Sequence, residues 1–492
     1  MAYRALTSLL AATALLFCLG AAPSPAGPEV QITQLERARS LGDGRLAAFL
    51  NGPDRLVAIR AALAIGRSKR PAGILLLRAH VHDRDGAMRA MCVYSLGLIG
   101  TRYAANDVLR ALVDRSEAVR VAAYDAADRL ESANAFSTQN ERSSLAVLAQ
   151  ALLRERNPTL RSRAATAMEA FKSGPAADAA SRALAAAFPR EPDASVRWHI
   201  MWTIYRGYAI RVPRAVIVRG LGDRNDVVRI EAVRALGRVK NVDAIASLDP
   251  MLRDPSWRVQ EQAAESIKAL RGEPVSEHLK SIPATVHLPA VEPDRFARLP
   301  ALPRPAASGA PLAPTADAIR REPRLDPSGA AAFTGPARGP HPRMRIVTTK
   351  GNVYVELYPE WAPLTVENFT NLAERGYYDA NPWFRIVPDF VVQTGGGIDG
   401  NSDVKYTIPA EENPLEQDSY VISMGLNYTD PPDAHAIRDS AGSEFYITLS
   451  PQEHLNRDFT VFGRVIGGFD VLARLIESDK IVRIERIADS PQ

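Results

Sequence analysis

Four patterns of apolar and polar positions succeed one another along the 492 residues. Behind Arg4, residues Ala5 to Leu19 form an apolar run. From about residue 40 to 272, alanine-rich stretches place apolar residues three and four positions apart, which is one face of a helix. The next segment, to about Arg343, is crowded with Pro, Ala and Gly and holds no sustained period, so it predicts a largely unfolded, partly stiff linker. Within it, "VHLPAVEPDRFARLPAL" is apolar enough to dock on something. From Met344 the period changes to two: "MRIVTTKGNVYVELYPE" alternates around Lys350-Gly351-Asn352 and predicts two strands joined by a tight turn. "APLTVENFTNLAERGYY" predicts a helix with Thr365 as its cap and Gly376 as its stop. "SYVISMG", "SEFYITLS" and "FTVFGRVIGG" predict further strands and "GGFDVLARLIES" a second helix, a set that suggests a closed barrel.

The helical stretch repeats at intervals of about 30 to 40 residues. Its phrase is a turn, an apolar residue, an arginine and then an amphipathic helix, as in "DGAMRAMCVYSLGLIG", "NPTLRSRAATAMEAF" and "NDVVRIEAVRALGRV". This resembles the HEAT repeat family, a solenoid of paired helices that bury their apolar faces only by stacking. In such repeats the arginine pairs with an acidic or polar residue of a neighbouring turn, so Arg89, Arg120, Arg161, Arg197, Arg229 and Arg258 are expected to form a ladder rather than a nucleic-acid stripe. Trp198, Trp202 and Tyr205 lie at helical spacing and are expected in the core.

The stretch "WFRIVPDFVVQTGG" reads as a buried strand yet contains Arg385 and Gln393, each of which needs a partner or a purpose. Together with "VELYPEWAPLTVENFTNLAERGYYD", "YTIPAEENPL", "AGSEFYITLSPQEHLN" and "FTVFGRVIGGFDVL", it resembles a cyclophilin of the compact bacterial kind over Met344 to Ile487. The resemblance implies a peptidyl-prolyl cis-trans isomerase on an eight-stranded closed barrel with two helices. It makes Arg385 the catalytic residue, gives Phe390 and Val391 to the proline pocket, and has Gln393 steady the arginine and the substrate backbone. Gly425 and Leu426 would meet the substrate through their backbone, and Tyr446 and Leu455 would continue the apolar pocket. Three positions depart from the family pattern: Glu444 stands for a glutamine, Phe459 for a histidine, and His454 where many members have a tryptophan that contacts cyclosporin. A carboxylate at 444 only accepts hydrogen bonds when ionised and would restrain Arg385 by pairing with it. The chemistry calls for no metal, nucleophile or cofactor. The loop from Asn427 to Ala441 is longer than in the family, and His435, Arg438 and Asp439 either select substrates there or are solvated without a role.

Composition changes this picture little: 46% hydrophobic residues, 24% charged and a net charge of +4 do not call for nucleic acid or an acidic partner. The N-terminal pattern predicts an export signal over residues 1–26, hence a periplasmic or extracellular protein, with a membrane contact only if the signal stays as an anchor. Removing it leaves Cys92 as the single cysteine, expected to be a buried structural thiol. The expected division is a signal at 1–26, a helical solenoid at 35–272, a linker at 273–343 and the isomerase at 344–492. Proline-containing proteins are the expected substrates, and an unidentified protein is the expected partner of the solenoid. A proline-loop binding module or an assembly scaffold is the rival reading.

Overall fold

Each repeated phrase starts a helix at the polar residue that opens it. The computed structural model describes residues 27–174, 176–275, 294, 296, 301, 341–398, 404, 406–429 and 436–488; the expected export signal, most of the linker and His435 lie outside them. Helix α1 spans Pro28–Arg37, α2 Arg55–Arg67, α3 Gly86–Ile99, α4 Glu117–Ser132, α5 Pro158–Ala167, α6 Ala194–Thr203, α7 Asp226–Gly237 and α8 Trp257–Arg271. The side chains of Asp54, Asp85, Asn157, Asp193 and Asn225 accept from N–H groups of the first turns of α2, α3, α5, α6 and α7. Consecutive helices of this series stack, and glycines let them close in. A Cβ on Gly66 would come within 2.6 Å of Ser95, and one on Gly97 within 2.7 Å of Ala126.

The expected arginine ladder is present. Arg89 meets Asp114 at 2.8 Å, Arg120 meets Glu155 at 2.8 Å, Arg161 meets Glu191 at 2.8 Å, Arg197 meets Asp223 at 2.6 Å and Arg229 meets Asp254 at 2.7 Å. Four of these carboxylates also accept the N–H two residues further on, at Ser116, Asp193, Asn225 and Ser256, so one rung fixes both the turn and the next repeat. Arg258 departs from the series: it pairs with Asp389, on the far side of the molecule's domain junction. Cys92 is buried on α3, and burial pushes its thiol pKa up.

The strands are β1 Arg343–Thr348, β2 Gly351–Leu357, β3 Arg385–Val387, β4 Val391–Thr394, β5 Val421–Met424, β6 Phe445–Thr448, β7 Val461–Gly467 and β8 Ile481–Ile487. They form one sheet in the order β3-β4-β6-β5-β7-β2-β1-β8, curled into a half-barrel. This corrects the closed barrel expected from the sequence, because β3 and β8 are edges that share no ladder. The segment just before β3 approaches β8 through isolated bonds, Ala380 N–H to Ile481 O at 2.8 Å and Trp383 N–H to Asp479 O at 3.1 Å. Between them Ile481 N–H donates to Asn381 O at 2.9 Å, which leaves Pro382 and Lys480 as an isolated bridge.

Helix α9, Pro363–Glu374, covers the core through Val366, Phe369 and Leu372, and the short α10 spans Phe469–Leu472. Thr365 is not its cap. The helix starts two residues earlier at Pro363, and the buried Glu411 carboxylate accepts the N–H groups of Leu364 at 3.0 Å and Thr365 at 2.8 Å. Gly376 does stop the helix, at φ 73°. The described residues of the linker's apolar part, Asp294, Phe296 and Ala301, lie against the sheet. Phe296 packs on Tyr354 with ring centroids 4.8 Å apart, Asp294 accepts from the Tyr354 hydroxyl at 2.8 Å, and Ala301 bridges to Ile487.

The solenoid and the sheet are in contact. Tyr358, Trp361, Leu415 and Val461 belong to the same apolar cluster as the solenoid core. Around them a row of solenoid cations meets acceptors of the other domain. Arg67, 1% exposed, donates to the carbonyls of Glu412 at 2.8 Å and Trp361 at 2.6 Å and also meets Glu36 at 3.1 Å. Arg39 reaches Asp439 at 2.5 Å, Lys69 reaches Glu412 at 3.1 Å, Arg163 pairs with Glu416, and His199 lies 3.2 Å from Glu453. One pair runs the other way, from Arg457 to Asp128. Among the described residues no helix is long and apolar enough to cross a membrane.

Candidate active site

The site lies on strands β3, β4 and β6, whose register sets its polar residues side by side. Arg385 opposes Gln393 across β3 and β4, and Gln393 opposes Tyr446 across β4 and β6. Alternation along β4 buries Val392 in the main core and leaves Gln393 half-buried on the other face. Arg385 Nη1 donates to Gln393 Oε1 at 3.3 Å, and Gln393 Nε2 donates to Glu444 Oε2 at 3.1 Å. The amide thus has both ends occupied, its carbonyl by a cation and its amino group by a carboxylate. Glu444 is linked to Arg385 through Gln393.

Beside this polar line is a small apolar cluster separate from the main core: Val387, Phe390, Val391, Tyr446 and Leu455, with Phe459 packed against it. The Arg385 guanidinium carbon is 5.3 Å from the Phe390 ring centroid, so the cation sits at the edge of the apolar floor. His454 stacks on Phe390 with centroids 5.6 Å apart, and Phe459 meets Tyr446 edge-on at 5.7 Å. Burial pushes the Tyr446 phenol pKa well above its ordinary value. Gly425 N–H is taken by the Glu444 carbonyl at 2.8 Å, and Leu426 packs against the main core. Gly395, at φ 96°, lets β4 leave the sheet close to β6. A Cβ there would come within 2.5 Å of the Ser443 carbonyl, and Ser443 Oγ donates to Gly395 O at 2.8 Å.

Arg385, Phe390, Val391, Gln393, Glu444, Tyr446, His454, Leu455 and Phe459 therefore gather in one region, Gly425 joins them through its bond to Glu444, and Leu426 belongs to the main core. The long loop differs. Arg438 donates to Glu412 at 2.8 Å and Asp439 accepts from Ala410 N–H at 2.7 Å and from Arg39, so both serve the domain junction. Sequence reasoning also missed Asp389 in the turn before Phe390, and the acidic residues of "AEENPLEQD", whose density was the available signal. Trp198 and Trp202 are buried as expected, and Tyr205 is partly buried against the core. Trp202 and Tyr205 also line a cleft that runs to Phe390 and His454. Among the described residues no group of three or more His, Cys, Asp or Glu could hold a metal ion.

A curled eight-stranded sheet with an arginine beside an outward apolar pocket defines a class that comparison with known proteins names. Residues 343–488 match the family described as cyclophilin type peptidyl-prolyl cis-trans isomerase/CLD, and residues 43–128 and 213–285 match HEAT repeats. Peptidyl-prolyl cis-trans isomerase B of Bacillus subtilis is 41% identical over 136 residues, which are 26% of this chain and 88% of that protein. Peptidyl-prolyl cis-trans isomerase-like 1 of Rhizopus delemar is 38% identical over 132 residues, 26% of this chain and 76% of that protein. A crystal structure of a cyclophilin type isomerase from Cryptosporidium parvum aligns with 25% identity and a TM-score of 0.28, covering 31% of this chain and 99% of that one. The chain belongs to the cyclophilin-type peptidyl-prolyl cis-trans isomerases, with HEAT repeats ahead of the isomerase domain.

Proposed function

We propose that the chain isomerises Xaa-Pro bonds of exported proteins and so assists their folding, with Arg385 as its catalytic residue. The observation that carries this reading is the Arg385 guanidinium beside the Phe390 ring, steadied by Gln393. A peptide bond resists rotation by about 18–20 kcal/mol because the nitrogen lone pair is delocalised into the carbonyl. Twisting the bond returns that pair to the proline nitrogen. With the proline ring against Phe390, Val391, Tyr446, Leu455 and Phe459, the guanidinium donates toward the nitrogen and stabilises the twisted state more than either planar one. The Gly425 N–H is already bonded, so contact with the substrate backbone there falls to its carbonyl. Export rests on the apolar run and small residues of positions 1–26. The solenoid acts as a cradle that holds the isomerase domain in a set orientation.

The test is the rate of cis-trans relaxation of a short Xaa-Pro peptide, followed without a coupled protease, in the presence of the full chain. Acceleration in proportion to enzyme concentration supports the proposal. Peptide binding without acceleration would favour the proline-loop binding module instead.

A further inference from the structure

An open cleft of about 340 Å³ lies between the last solenoid repeats and the lip of the proline pocket. Its solenoid wall carries Trp202 and Tyr205 with three arginines laid on or beside them. The guanidinium carbon of Arg206 is 5.8 Å from the Trp202 ring centroid, and that of Arg238 is 4.1 Å from the Tyr205 centroid. Arg234 is held by Glu231 at 2.8 Å and by Gln262 at 3.0 Å. The opposite wall contains Phe390 and His454, the stacked pair that also edges the proline pocket, so the two depressions share these residues.

Among the described residues, the charges of the arginines and carboxylates around the cleft are matched except at one place. Glu231 pairs with Arg234, Glu265 with Lys268, Asp389 with Arg258, and Arg206 has Glu169 at 3.9 Å. Arg238 is bonded to the neutral Tyr205 hydroxyl at 3.1 Å, and its charge is presented over an aromatic face. An arginine fixed flat by stacking is prepared for bidentate contact with a carboxylate at little entropic cost. The size suits a few residues of extended chain.

The geometry points to a further substrate subsite here, formed by the solenoid and taking the polypeptide that flanks the target proline, with an Asp or Glu side chain on Arg238. This rests on the isomerase reading and adds to it that the HEAT repeats contribute directly to substrate choice. A chain whose proline lies on Phe390 passes His454 and enters the cleft without leaving the protein surface.

The experiment uses the full chain and fluorescent Ala-Pro peptides extended by several residues on one side or the other, with Glu or Lys in the extension. Binding is read by anisotropy and turnover by cis-trans relaxation. The Glu peptide extended on one side is expected to bind at least about tenfold more tightly than its Lys counterpart, because a paired charge replaces a repelled one. Arg238→Gln should remove most of that preference and Arg238→Glu should reverse it, while kcat/KM for the unextended peptide stays within about twofold. Equal affinity for Glu and Lys peptides, or a preference that survives Arg238→Glu in a folded chain, would overturn the subsite. Tighter binding of a peptide copying residues 276–293 than of any Glu peptide would also overturn it and give the cleft to the chain's own segment. Loss of turnover on the unextended peptide with the Glu preference intact would instead count against the isomerase reading alone.

Discussion

His199 on α6 of the solenoid and Glu453 of the isomerase domain lie 3.2 Å apart, Nε2 to Oε1, both buried, with His454 of the proline pocket next in the chain. Burial disfavours the imidazolium, but the hydrogen bond and charge of Glu453 outweigh that, and the His199 pKa is raised above its ordinary value. Burial likewise disfavours the Glu453 carboxylate, and His199 and Arg163 more than compensate, so its pKa is lowered. Arg163 and Glu416 face the same pair, and Asn456 donates to Glu453. The histidine's contribution is fully present below its unfolded pKa of about 6.5 and is lost as pH rises through the raised folded value. The glutamate's contribution is present above about pH 4.3 and is lost as pH falls through the depressed value. As pH rises from about 6 to about 9, the thermal midpoint of the native chain should therefore fall relative to that of His199→Gln. A gap that stays constant over this range contradicts the pairing.

Arg67 carries a second prediction about the junction. It is buried and divides its donors between Glu36 and the carbonyls of Trp361, Glu411 and Glu412. Arg67→Ala leaves Glu36 with Arg60 alone and strips several buried carbonyls of their donor, and should cost about 3–5 kcal/mol in urea unfolding. Arg67→Lys should recover only part, because an ammonium cannot span partners in that many directions. A loss below about 1 kcal/mol would mean that the junction is solvated.

Much of this architecture is legible in the amino-acid order, for reasons that individual residues illustrate. Helix starts such as Asp85 and Asn225 and the ladder from Arg89 to Arg229 are local or one repeat away, and a repeating phrase displays them. Arg385 and Gln393 are conspicuous because polar residues interrupt an apolar strand. What the order hides is long-range. Arg258 has the same phrase as the other rungs but pairs with Asp389, and the Glu411 cap of α9 comes from 47 residues further along. The open sheet shows where residues 380–383 meet β8 through isolated bonds only, a pairing that no periodicity announces.

The chain of bonds from Arg385 through Gln393 to Glu444 predicts the effect of restoring an amide at 444. Glu444→Gln replaces a charge-assisted bond by a neutral one and loosens Gln393 and Arg385 together. Turnover should rise about three- to tenfold, and only where Arg385 is present. Unchanged turnover would make Glu444 a structural acceptor with no hold on the arginine.

Arg385→Ala tests the central claim most directly. Full-length native and variant chains, matched for folding by circular dichroism, are compared for cis-trans relaxation of a short Xaa-Pro peptide and for binding of the same peptide. An interaction made mainly in the twisted state predicts a loss of about 10² to 10³ in kcat/KM with affinity nearly unchanged, and little recovery in Arg385→Lys. A folded Arg385→Ala chain that isomerises the peptide as fast as the native one would contradict the account.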